Sequence, residues 1–192
     1  RPKHFNFYRY NKSGIIQEVV NFQVDKITGL TTPLPSVRLQ VDGKSKFITS
    51  FIEDNEVILL YYLKKPASIQ VVRLDTAGQQ RLNNVPVTID YGPDRFLRYG
   101  DVVYMNESSA KTVFAGHHQK KVYKQGHKLY FVFDRFLPVQ KSMATTEILE
   151  LDLVNNTSNL IKLPPLPIGV SADFNSYLFK DKIFRLMISN KA

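Results

Sequence analysis

The chain has 192 residues, 43% hydrophobic and 12% aromatic, with 22% charged residues, no cysteine and a formal net charge of +9. This is ordinary globular composition, which argues against disorder, and the lack of cysteine excludes disulfides, thiolate nucleophiles and cysteine-based zinc sites together. The positive charge is local: Arg1, Lys3, Arg9 and Lys12 carry one part, Lys120, Lys121, Lys124 and Lys128 another, and the remainder of the chain is nearly neutral. The longest apolar runs, such as residues 57–63, are far too short to cross a bilayer as a helix, and no signal-type segment is present. The chain is expected to be soluble as given, and its start at Arg1 suggests that an upstream segment has been removed.

In chain order, residues 5–10 (FNFYRY) alternate aromatic and polar positions and read as a strand, with sheet packing as the aromatics' expected role. Asn11 and Gly14 then supply a turn. A second strand covers residues 15–22, and residues 29–36 (GLTTPLPS) and 42–46 (DGKSK) read as loop. Asp54-Asn55 leads into a buried strand over residues 56–63. Ile69 to Leu74 (IQVVRL) forms the next, apolar on both sides. Asp75 then caps a turn by accepting backbone N–H bonds, and Gly78 provides the positive φ that reverses the chain. Residues 80–85 return as a strand that Pro86 closes at an edge.

The same grammar recurs downstream. Tyr99-Gly100 leads into residues 101–105, Gln125-Gly126 into 128–133, and Lys180-Asp181 into 182–188. Glu147 to Leu151 is followed by Asp152, Asn155 and Asn156, and then by a strand over 159–163 ending at Pro164-Pro165. Residues 112–115 are a shorter candidate for the same position. Measured at the residue before the turn, the copies fall at Tyr10, Leu74, Ala115 and Leu151, and the two later spacings, 41 and 36 residues, suit one four-stranded unit per repeat.

This Leu-Asp-x-x-Gly turn, followed by a strand and a proline, resembles the degenerate blades of secreted or periplasmic bacterial β-propeller proteins, including lipoprotein-type families of unknown function. The Gly-Gly pair and Trp of kelch blades and the Trp-Asp pair of WD blades are missing. The resemblance implies an all-β fold of antiparallel, blade-like four-stranded units over residues 1–192, with an open antiparallel β domain as the alternative. It also implies a secreted, periplasmic or cell-surface location. Residues 177–179 and 183–188 supply only entry strands for a last unit, so the domain is expected to be incomplete at its C-terminal end, with an exposed edge available for self-association.

Candidate chemistry centres on residues 117–128 (HHQKKVYKQGHK). His117 and His118 precede Lys120, Lys121, Lys124 and Lys128, and clustered ammonium groups suit phosphate, sulfate or a carboxylated sugar. The bland alternative is a solvated edge that discourages strand pairing. Adjacent histidines on an extended chain point to opposite faces, and four lysines repel a cation, so no metal or cofactor is expected. Arginine reads bases better than lysine and none lies in this segment, which argues against nucleic acid. Asp134 and Asp101 at strand ends read as turn caps before they read as acid–base groups, and Ser108, Ser109 and Ser142 lie in no nucleophile elbow. No nucleotide-binding glycine loop is present. The expected function is non-catalytic binding or scaffolding, recognising a protein or glycan through loops on one face. The alternative is a hydrolase or lyase acting on an acidic saccharide.

Overall fold

The computed structural model describes residues 4–13, 16–88, 97, 102–105, 120–136, 143–167 and 172–189. Within them the chain is all-β and falls into four sheets in chain order. The first pairs β1 (His4–Ser13) with β2 (Ile16–Asp25), whose other edge is shared by β3 (Thr31–Pro33) and β4 (Val37–Arg38). The second is a four-stranded antiparallel meander of β5 (Lys46–Glu53), β6 (Glu56–Lys64), β7 (Ala67–Leu74) and β8 (Gln80–Pro86).

The third sheet runs β13-β12-β11-β10-β9, formed by β9 (Val103–Met105), β10 (Lys120–Gln125), β11 (Lys128–Phe136), β12 (Met143–Asp152) and β13 (Thr157–Lys162). Pairing is antiparallel except between β9 and β10, where Lys121 lies opposite Val103 in parallel register. The proline pair at 164–165 interrupts the outer strand, and β14 (Leu166–Pro167) resumes pairing with β12 at Ala144. The fourth sheet is the hairpin of β15 (Ala172–Phe179) and β16 (Lys182–Ser189).

The sheets pack in succession, face against face. Val19, Leu39, Leu59, Tyr61, Val72 and Leu74 fill the space between the first and second. Phe51, Ile58, Leu60 and Val71 of the second meet Val122, Leu129, Phe131, Phe133 and Leu149 of the third. Between the third sheet and the hairpin lie Met105, Tyr123, Val132 and Ile148, against Leu178 and Ile183. A strand covered on both faces needs apolar residues at odd and even positions alike, which explains the unbroken runs of β6 and β11. Each fully buried Leu, Ile or Phe contributes about 1.5–3 kcal/mol, so these faces dominate the stability of the stack.

Three reversals share one chemistry. Asp75 Oδ1 accepts from the N–H groups of Ala77 (2.9 Å) and Gln79 (2.8 Å), with Gly78 at φ +78°. Asp152 Oδ1 accepts from Val154 and Asn155, each at 2.9 Å, and Asn156 takes φ +52°. The third copy is Asp25, which accepts from Ile27 (2.9 Å) and Thr28 (2.7 Å) ahead of Gly29 at φ +70°.

That third copy corrects the expectation placed on Tyr10 and Asn11. Asn11 sits inside β1, paired with Glu18, because strand pairing continues to Ser13, opposite Ile16, before the chain reverses into β2. The repeat therefore aligns β2, β7 and β12. The candidate copy at residues 112–115 lies outside the described residues. Among the described residues no helix is long and apolar enough to cross a membrane.

Candidate functional site

The lysines of the basic segment are distributed by strand alternation. Lys120 and Lys124 share the β10 face with Val122, directed at the second sheet, while Lys121 shares the opposite face with Tyr123 and Gln125. Lys124 Nζ lies 3.2 Å from Glu53 and 3.6 Å from Asp54, both at the β5–β6 turn. Lys128 Nζ lies 2.7 Å from Glu150 on β12, and that hydrogen bond raises its pKa. His127 Nε2 stands 3.5 Å from Asp152. Lys121 is fully buried. The structure thus divides these side chains between two faces, and four of them, Lys121 included, stand at carboxylates. His117 and His118 lie outside the described residues.

Lys121 belongs to a polar cluster buried between the third sheet and the hairpin. Its Nζ lies 3.5 Å from Asp134 Oδ2 on β11, in contact with Asn175 Oδ1 on β15, and 5.1 Å from the centre of the Tyr177 ring. Asp134 is also fully buried, and its two oxygens are otherwise occupied: Oδ1 accepts from Thr146 Oγ1 at 2.9 Å and Oδ2 from the Ser176 N–H at 2.7 Å. Thr146 and Ser176 share a further hydrogen bond of 2.7 Å. Burial pushes the Lys121 pKa down, and the Asp134 charge opposes that shift only in part. Asp134 is therefore an interior residue linking two sheets, rather than the turn cap its position at the end of an apolar run suggests.

A groove opens between the first and second sheets at the end that carries the aspartate turns. Its volume is about 280 Å³, close to the lower end of ordinary ligand pockets, which span about 300–1,000 Å³. Ile52, Val57 and Leu74 form an apolar floor, whereas Asn21 and Gln23 come from β2 and Asn55 from the β5–β6 turn. On β2 the inward positions change from Val19, in the core, to the amides Asn21 and Gln23, so the sheets are not sealed here. Tyr8 lines the same space and donates to Ser50 Oγ at 3.3 Å. Asp75 also lines it, with Oδ1 committed to its own turn.

Sequence reasoning missed this groove because its walls come from residues 8 to 76, and only the inward alternation along β2 hints at it. Among the described residues no group of three or more His, Asp or Glu is placed to hold a metal ion.

No family model matches the chain, and no curated protein matches it. Among solved structures it is similar to a mutant of Synechocystis apocarotenoid oxygenase, with 10% identity and a TM-score of 0.40 over 82% of this chain and 35% of that one. The chain thus spans about a third of the length of that structure, and at this score the likeness carries no argument about activity.

Proposed function

We propose that the chain is a propeller-type binding or scaffolding module of a secreted, periplasmic or cell-surface protein, non-catalytic, which recognises a protein or glycan through the loops at one end of its sheets. The observation that supports this reading is the groove beside the aspartate turns. It offers an apolar floor beside Asn21, Gln23 and Asn55, whose amides can each donate and accept hydrogen bonds. Loops positioned by a rigid stack of sheets are a common place for recognition.

The test is a panel of neutral and acidic oligosaccharides presented to the immobilised chain, with Gln23→Ala and Asn55→Ala as controls. Saturable binding that weakens at least tenfold in either variant, at unchanged melting temperature, is the expected result. Shortening of an acidic saccharide during the assay would instead favour the hydrolase or lyase reading. Because Lys124 is held by Glu53 and Asp54, Lys124→Glu is expected to leave retention on a heparin column almost unchanged.

A further inference from the structure

We propose that Lys121 and Asn175 are the two ends of an intramolecular amide cross-link, formed with Asp134 as proton acceptor, which joins the third sheet to the β15–β16 hairpin covalently. The proposal is independent of the binding reading.

Three requirements meet at this place. The first is an uncharged amine, and full burial of Lys121 favours the neutral form. The second is an acceptor carbonyl within attack distance, about 3–3.5 Å for reacting atoms in a productive arrangement. Lys121 Nζ already touches Asn175 Oδ1, which places the carbonyl carbon one bond further on. The third is a nearby group that can take a proton from the ammonium and later return it. Asp134 Oδ2 lies 3.5 Å from Nζ, and both side chains are buried.

The surroundings fix the orientation of the amide. Asn175 Nδ2 donates to Tyr177 Oη at 3.2 Å, so the amide nitrogen points away from Lys121 and the oxygen toward it. The Ser176 N–H donates to Asp134 at 2.7 Å, which holds the peptide next to Asn175 against the carboxylate. Lys121, Asp134 and Asn175 thus sit on three strands that cannot slide past one another without breaking these bonds.

The step balances without an oxidant or cofactor. Asp134 accepts a proton from the Lys121 ammonium, and the freed Nζ lone pair attacks Asn175 Cγ. The new C–N bond forms, one of the two protons still on Nζ passes to Nδ2, the bond from Cγ to Nδ2 breaks, and the nitrogen leaves as ammonia. Asp134 gives its proton to the departing ammonia and returns to the carboxylate, so the net products are one amide and one ammonium ion.

The experiment is intact mass spectrometry of the soluble, strand-rich chain under denaturing conditions. The expected mass is below the sequence mass by one ammonia, and tryptic digestion yields a branched peptide joining β10 to β15. Lys121→Met, Asn175→Ala and Asp134→Ala are each expected to restore the full mass, a readout that holds whether or not a variant folds. A wild-type chain of full sequence mass overturns the proposal. So does a loss of ammonia that persists in Lys121→Met, since that marks cyclisation of Asn175 onto its own backbone.

Discussion

The interface between the second and third sheets and the one between the third sheet and the hairpin are built from different materials. The first is apolar at its centre: Phe51 and Tyr104 stack with ring centres 3.7 Å apart, and Leu60, Val71, Phe131 and Phe133 are fully buried around them. The second places a lysine, an aspartate, a threonine and a serine among Val132 and Ile148. Apolar contact is tolerant of sliding, whereas a buried charge with directed hydrogen bonds accepts one alignment. The apolar interface holds the stack together; the polar one selects where the hairpin sits.

The two largest effects, about 3–5 kcal/mol each, are expected one in each interface, and their character separates them. Phe131→Ala removes a fully buried ring and should lower the urea midpoint of the whole chain. Asp134→Ala leaves Lys121 facing no carboxylate and should expose the β15–β16 hairpin to limited proteolysis before the other sheets open. Replacing Lys121 by Met and Asp134 by Leu together should recover much of that loss, while a second apolar change cannot rescue Phe131→Ala. Equal protease sensitivity of all four sheets in Asp134→Ala would dissolve the distinction between the interfaces.

A smaller effect is expected at the aspartate turns. Gly78→Ala forces an L side chain into φ +78°, and its Cβ would meet Val37 Cγ2 at 3.0 Å, so a cost of about 1–2 kcal/mol in thermal melting is expected. Smaller still is the pH response of Asp152, whose pKa is lowered to about 2, first by the Asn155 N–H, then by the Asn155 side chain, the Val154 N–H and the nearby His127. A carboxylate with a depressed folded-state pKa contributes stability that is present above its unfolded value near 4 and lost as pH falls through about 2. Asp152→Asn should therefore flatten part of the acid-unfolding curve in that window, and an unchanged curve would show that the turn does not contribute.

Much of the sheet structure was legible in the sequence because two-sided burial writes unbroken apolar runs, as in β6 and β11. The turn grammar was legible too, since Asp75 with Gly78 and Asp152 with Asn156 each advertise a capped reversal. Its first copy was not. The alternation of residues 5–10 looks like that of Ile69 to Leu74, while the true counterpart, Asp25 to Gly29, follows a strand that includes Gln17, Asn21 and Gln23 on its inward face. Those amides blur the apolar pattern at the very place where the groove opens. The burial of Lys121 was illegible for another reason. Alternation gives its face, but Asn175 and the hairpin that covers that face lie 54 residues further along the chain, and a lysine-rich segment reads as solvated until that hairpin is placed.

The turns at one end also touch from sheet to sheet: Lys124 reaches Glu53 and Asp54, Asn83 donates to the Leu153 carbonyl, and Gln125 donates to the Lys180 carbonyl. The second sheet, the third and the hairpin are thereby coupled in order, and the Tyr8–Ser50 hydrogen bond couples the first sheet to the second, so the stack behaves as a line of units in which stability is a sum of unit and junction terms. In such a line a unit with one described neighbour opens more readily than one held between two. The second and third sheets, each clasped on both sides, are accordingly the natural place for folding to begin, and the hairpin β15–β16 depends on its junction with the third sheet to stay closed.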